Sequence, residues 1–413
     1  MKKVAILFIV LLTSSFVFAQ NTYVPDDKFE QALIDLGYDT TLDDYVVTAN
    51  ISGVTELDVS NKEISDLTGI EGFTALTNLE CNNNQLTSLD VSNNTVLQVL
   101  NCGANQLTSL DVSSNTALEE LICNNNELTS LDVSSNTALV DLICNNNELT
   151  SLDVSSNTAL EELYCKDNQL TSLDVSKNTA LEKLFFYDNK LTSLDLSKNT
   201  ALLNIEGWDN ALASLDVSNN TALIELNVNN NSLTSLDVSK NTALTKLTIN
   251  QNQLTSLDVS KNTTLETLHA CCNKLTSLDV SRNTALANLN CNDNQLTSLN
   301  IRNGVTDAWS AHDWSGFNAT NNPNLTCIEV LDPAWATANW TSVNGNIDAS
   351  VTFTYICGVD VDGVSTYNNN GIKAITFNVE LPTHSLPDTN ISLAFWKSGA
   401  ESNECTGCNG RDT

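Results

Sequence analysis

A mostly β solenoid, a right-handed rod with a parallel sheet on its concave face, is the fold this sequence predicts, and three observations predict it. Eleven consecutive 21-residue units, opening at Leu76, Leu97, Leu118 and onward to Leu286, follow L-x-x-L-x-C-x-x-N-x-L-x-x-L-D-V-S-x-N-T-x. A unit this short cannot bury its own leucines and must stack on its neighbours, one coil per unit. Within the unit, Leu79 and Cys81 fall on one side of a short strand and Asn78, Glu80 and Asn82 on the other, so stacked copies make a parallel sheet. The return segment alternates again, Leu89 and Val91 inward and Ser88, Asp90 and Ser92 outward, which leaves little room for a helix and predicts an extended convex side. At about 4.8 Å per coil the leucine-rich repeat rod should be roughly 50 to 55 Å long.

The ends follow in order. Lys2 and Lys3, the apolar run from Val4 to Leu12 and Val17-Phe18-Ala19 predict a signal peptide over 1–19, too short to span a membrane. Residues 20–53 read as an N-terminal cap, in which Pro25, Asp26 and Asp27 start a helix, Phe29, Leu33 and Leu36 give it an apolar stripe and Gly37 ends it. Residues 54–306 hold the solenoid, one 22-residue coil followed by the eleven regular ones. Residues 307–357 form a C-terminal cap, where Trp309, Trp314, Trp335 and Trp340 supply an apolar lid. A sugar-binding use of one of these tryptophans is the alternative. Residues 358–413, with strand-like runs at Ala374 to Leu381 and Ile391 to Trp396, are a tail or partial stalk.

The formal charge of −32, or −34 without Lys2 and Lys3, excludes nucleic acid and a bare anionic membrane as partners. Two asparagine columns, Asn84 to Asn294 and Asn94 to Asn283, are expected to satisfy backbone groups of one coil from the next. Cys81, Cys102, Cys123, Cys144, Cys165 and Cys291 share a core position that Phe186, Val228, Ile249 and Ala270 occupy elsewhere. In-register neighbours stay about 4.8 Å apart, beyond disulfide reach, so a ladder of buried thiols is expected and no metal site. Cys327 and Cys357 are the expected disulfide, while Cys405 and Cys408 give only a weak pair signal. The column from Asp90 to Asp279 stacks ten carboxylates, for which calcium bridging is the sharper alternative to simple solvation.

The period, the cysteine in place of a strand leucine and the string L-T-S-L-D-V-S-x-N-T-A-L resemble the repeats of the internalin J type. The opening Val24-Pro25-Asp26-Asp27-Lys28-Phe29-Glu30 to Gly37 resembles the cap of secreted leucine-rich repeat proteins of Bacteroidetes. The resemblance covers about residues 23 to 357 and implies a secreted or cell-surface binding rod with adhesin-like behaviour; it implies no particular ligand. Leu386-Pro387-Asp388-Thr389-Asn390 approaches a sortase motif but has Asn where that motif has Gly, and it reads as coincidence.

Invariant positions are explained by stacking, so specificity should lie where an exposed row departs from the repeat. Most concave positions carry Asn, Glu, Asp, Thr or Gly. The middle coils instead carry Tyr164 with Lys166, Lys183 with Phe185 and Tyr187, and Glu206 with Trp208, a patch extended by Ile122 and Ile143. Gly207 beside Trp208 suggests room for the indole to tilt or a shallow depression. These residues predict a ligand surface for an extracellular protein or glycoprotein, with a glycan, a non-binding spacer and plain sheet packing as alternatives. No cofactor, metal or membrane insertion is expected, and the rod should be a monomer. An enzyme is not expected: His269, His312 and His384 fall in no triad or ligand spacing, and a concave carboxylate pair such as Glu162 with Glu206 belongs to rows of acids that a solenoid carries without chemistry.

Overall fold

Alternating apolar and polar residues put three residues of each coil into a strand, and thirteen such strands stack in one sheet from Glu56–Asp58 to Phe317–Asn318. Every pairing in it is parallel, and the register is the repeat itself: Leu79 pairs with Leu100, Leu100 with Leu121, and Leu121 with Leu142. The computed structural model describes residues 20–304 and 316–357, together with the strands Ser365–Asn369 and Ile372–Thr376, which form an antiparallel hairpin in a second unit beginning at Gly358. The signal peptide, Trp309, Trp314, His312, His384, Leu386 to Asn390, Ile391 to Trp396, Cys405 and Cys408 lie outside the described residues. Among those described, no helix is long and apolar enough to cross a membrane.

The core is a set of columns. Leu76, Leu79, Leu86 and Val91 of one coil, and their equivalents in the next, are fully buried, while Leu89 is packed at the margin. Each such side chain contributes about 1.5–3 kcal/mol by leaving water. The six cysteines of the strand position are buried and unbridged. On the convex side, parallel bridges join Asp90 to Asp111 and Asp111 to Asp132. A true convex sheet forms only toward the C-terminus, where Ser277–Asp279, Ser298–Asn300, Cys327–Glu329 and Thr352–Thr354 pair in parallel.

The asparagine columns behave differently from one another. Asn126 donates through Nδ2 to the carbonyls of Cys102 and Cys123, both at 3.1 Å, and its Oδ1 accepts the Leu107 N–H at 2.9 Å. One amide thus serves two coils with both of its ends. Asn115, wholly buried, donates to the carbonyls of Val91 and Asn94 at 2.9 Å, but its Oδ1 meets no protein donor, and the same holds from Asn94 to Asn283. The two-way ladder expected of both columns is realised in the first alone, because only there does the preceding coil turn a backbone N–H toward the amide oxygen.

Each coil leaves its strand through a left-handed residue just before the first asparagine column, from Asn83 (φ 56°) through Asp188 (φ 51°) to Asp293 (φ 52°). Asn and Asp tolerate that region best. Ala104, Gln251 and Cys272 adopt it too, with φ of 53°, 53° and 58°, held there by the ladder on either side.

At the N-terminus, Asp26 caps the helix Asp27–Asp35 by accepting from Lys28 N and Phe29 N, and Gly37 leaves it at φ 83°. The covered face is Phe29, Ala32 and Leu33. Leu36, expected in that stripe, is 47 % exposed, because the helix stops one residue earlier and Leu36 is its C-cap. At the other end Trp340 is buried between Phe317, Trp335 and Phe353, with ring centroids 4.7, 5.1 and 5.8 Å away, as a lid over the last coils. Cys327 and Cys357 are joined by a disulfide.

Because Asn126→Ala strands the Leu107 N–H, whereas Asn115 has an amide oxygen already without a donor, the two substitutions should separate in urea unfolding. Asn126→Ala is expected to cost about 1–3 kcal/mol more than Asn115→Ala.

Candidate functional site

The register fixes which outward side chains are neighbours. Ile122, Ile143, Tyr164, Phe185 and Glu206 pair in turn along one row of the concave sheet. Backbone pairing continues past the strands, Asp167 N to the Tyr187 carbonyl at 2.9 Å and Asp188 N to the Trp208 carbonyl at 3.1 Å, which aligns Lys166, Tyr187 and Trp208 in a second row. Tyr164 and Phe185 meet edge to face at 4.7 Å; Tyr187 and Trp208 stack at 4.0 Å with 14° between planes. The Lys166 ammonium lies 4.6 Å from the Tyr187 ring centroid and hydrogen-bonds the Tyr187 hydroxyl. Tyr187 is therefore tied at its hydroxyl end to a cation from the preceding coil and stacked by one face on an indole from the following one.

Carboxylates fix the rest. Glu162 accepts from the Tyr164 hydroxyl and from Lys183, each at 2.7 Å, so one side chain orients a ring on its own strand and an ammonium on the next. Burial opposes ionisation of Glu162, but the Lys183 and Tyr164 hydrogen bonds outweigh it and hold the carboxyl below its usual value. Burial and the Glu162 carboxylate push the Tyr164 hydroxyl well up, so it stays a donor. Glu206 accepts from Asn227 at 2.7 Å, yet burial still raises it. Burial also raises Glu120 and Asp141, reinforced by neighbouring carboxylates in the row through Glu162. All seven predicted ligand residues, Tyr164, Lys166, Lys183, Phe185, Tyr187, Glu206 and Trp208, are half-buried on these coils. Glu162 and Glu206 occupy different rows on strands separated by Lys183–Phe185, each tied to its own polar partners.

The depression expected at Gly207 is absent. A Cβ there would sit 2.2 Å from Cζ of Phe186, the large residue that replaces a ladder cysteine one coil earlier. Phe186 fills the space that Gly207 vacates, so the pair is a large-for-small exchange inside the core directly behind the patch. Sequence reasoning also passed over the acids beside the rings. Asp167, Asp188 and Asp209 occupy successive left-handed turns, and Asp188 is raised by burial and then by its two neighbours. The signal was present in the repeat, as three consecutive Asp in a column where Asp recurs only at Asp293. On the convex side each Asp of the L-D-V-S column accepts the N–H of the Ser two residues on, Asp90 from Ser92 and Asp132 from Ser134, both at 2.9 Å; the Ser hydroxyl and N–H together hold Asp90 and Asp132 below their usual value. That engagement leaves the calcium-bridging alternative without one oxygen per coil.

No family model matches the chain. A stretch of 75 residues, 18% of this chain, is 38% identical to internalin J of Listeria monocytogenes serotype 4b (strain F2365), of whose length it covers 8%. The solved functional domain of internalin J from Listeria monocytogenes, described as including a cysteine ladder, is 30% identical over 78% of this chain and 81% of that one, with a TM-score of 0.56. The chain belongs to the internalin J kind of leucine-rich repeat proteins. Internalin F of the same species, 22% identical, shares the fold over 80% of this chain and 95% of its own, at a TM-score of 0.64.

In this internalin-like chain the thiol ladder is chemically quiet. Burial pushes Cys102, Cys144 and Cys291 up to about 12, far from the thiolate that disulfide exchange requires. The ladder is a packing device, and Phe186 is its one aromatic member.

Two outcomes follow for the patch. Gly207→Ala is expected to destabilise by about 1–3 kcal/mol through overpacking, and Phe186→Leu in the same chain should recover part of that loss. Additive effects in thermal melts would refute the exchange. In pH titration of stability, carboxyls raised in the folded state (Glu120, Asp141, Asp188, Glu206) bind protons more readily folded than unfolded. Tm should therefore climb as pH falls from neutral through their folded values. The Asp column from Asp90 to Asp258 and Glu162, depressed when folded, add stability above their unfolded value that is lost as pH falls through the folded one. A stability maximum in mild acid, with a fall below about pH 4, is expected.

Proposed function

We propose that this chain is an extracellular, non-catalytic binding rod, adhesin-like, that engages a protein or glycoprotein through the concave patch of Tyr164, Lys166, Lys183, Phe185, Tyr187, Glu206 and Trp208. The observation that carries the reading is the pair of prepacked aromatic contacts on adjacent coils of a sheet whose outward positions are mostly polar. Rings and cations held in place before binding lose little conformational freedom on contact, which is what interface centres exploit. Membership among internalin-like repeat proteins supports a recognition role for the sheet.

A protein surface is favoured over a free sugar by the state of Tyr187. Its hydroxyl is tied to Lys166 and one face is stacked on Trp208, so at most one face of that ring is left for a sugar to stack on. Export is part of the proposal: the residues read as a leader over 1–19, the disulfide Cys327–Cys357 and the strong negative charge all suit an oxidising extracellular setting. So is a monomeric solenoid bounded by caps over 20–53 and 307–357, followed by a stalk-like segment from 358.

A glycan and mucin array probed with the mature protein and with a Tyr164, Phe185, Tyr187 and Trp208 quadruple-alanine variant tests the reading, with equal folding checked by circular dichroism. Binding to intact mucin or protein that disappears in the variant is the expected result, and single alanines at the centre should weaken it by about 2 kcal/mol. Capture on free oligosaccharides would move the assignment to a glycan site centred on Trp208. Binding that the variant retains would return the patch to sheet packing.

A further inference from the structure

The N-terminal cap contains a second cluster of chemistry that the binding surface does not use. Glu30, on the helix Asp27–Asp35, is wholly buried. Its Oε1 accepts the backbone N–H groups of Asp43 and Tyr45 at 2.9 and 3.1 Å, which draws the loop after the helix back over it. Its Oε2 is buried and meets no donor, and Oδ2 of Asp39 is in the same position. Around Glu30 lie two sets of carboxylates, Asp27 with Asp44 and Asp39 with Asp43, and in each set the oxygens lie within 4.8 Å of one another and of Glu30. Neither Lys28 nor Lys62 relieves them, since these pair with Glu63 and Asp35, and none of the ion pairs among the described residues reaches the five acids.

An ionised carboxylate buried with a free oxygen among four others needs a positive charge or a proton. We propose that the two carboxylate triplets that share Glu30, Asp27–Glu30–Asp44 and Glu30–Asp39–Asp43, hold calcium and so fasten the 36–44 loop to the cap helix. Two oxygens up to about 4.8 Å apart can both touch one ion whose contacts are about 2.4 Å, the calcium distance. The donors are all hard oxygens on an irregular loop, which suits calcium with its six to eight flexible contacts. Zinc would want nitrogen or sulfur, and magnesium a tighter octahedron. The φ of 66° at Asp44 and its carbonyl bond to Val24 N at 2.9 Å fix this end of the loop to the strand Asn21–Tyr23 and its surroundings without any basic residue.

The full chain, stripped with a chelator, is titrated with calcium and with magnesium while Tm is followed, and with terbium while emission is excited through the protein's tyrosines, Tyr45 among them. Calcium is expected to raise Tm at millimolar levels, magnesium to do so less, and terbium emission to appear and be competed out by calcium. Glu30→Gln should abolish the shift. Should that variant fail to fold, Asp39→Asn with Asp44→Asn is the working substitute and is expected to weaken calcium by about tenfold or more, since affinity follows carboxylate count. A calcium shift unchanged in Asp39→Asn/Asp44→Asn would mean general screening of the chain's negative charge and would overturn the site. So would a Tm of the stripped protein that does not respond to calcium.

Discussion

Everything in this molecule depends on backbone groups at the turn after each strand that water cannot reach and that the coil itself cannot satisfy. The Asn84-to-Asn294 column solves this by lending each amide to two coils: Asn105 donates to the carbonyls of Cys81 and Cys102, and its oxygen takes the Leu86 N–H. Leaving such groups unpaired costs about 1–3 kcal/mol each, a large sum over a dozen turns. A coil is thus incomplete until a second one is laid on it. The identity of the repeat follows from this requirement more than from the leucines, which many apolar residues could replace. The left-handed turn that precedes the column follows from it as well, since the amide reaches both coils only from that backbone position.

Fixing the inside so tightly frees the outside. Outward rows take Glu, Asn, Ile, Tyr, Phe, Lys and Trp on neighbouring coils without any change of register. Where the core does change, it changes in compensating pairs. Phe186 enlarges one coil and Gly207 empties the next, so the sheet above them stays flat enough for Tyr187 and Trp208 to stack. The patch and the core behind it form one local departure from the repeat, three coils wide.

The solenoid, its parallel register, the buried thiol column and the concave position of the aromatic row were all legible in the sequence, because a 21-residue period converts position in the unit directly into position in space. What the period does not encode is partner geometry across coils. Nothing in the text of Gly207 says that Phe186 occupies its place, and Lys166 reads as a neighbour of Tyr164 although it lies over Tyr187. The second asparagine column looked like the first, yet the donors facing its oxygens are missing. In the cap, which repeats nothing, helix composition misplaced Leu36, and nothing local marks Glu30 as buried, because only the fold brings the 39–44 loop over it.

The disulfide between Cys327 and Cys357 closes the last part of the solenoid into a covalent loop. Tension applied through the chain beyond Cys357 passes across the sulfur atoms to Cys327, at the head of the strand Cys327–Glu329, and bypasses the segment between them. Peeling from that end cannot begin with the final strand, Thr352–Thr354, alone. Its earliest step has to strip Cys327–Glu329 from Ser298–Asn300 along with everything the loop encloses, so under load this end of the rod lets go as one unit where an unclosed end would fray strand by strand.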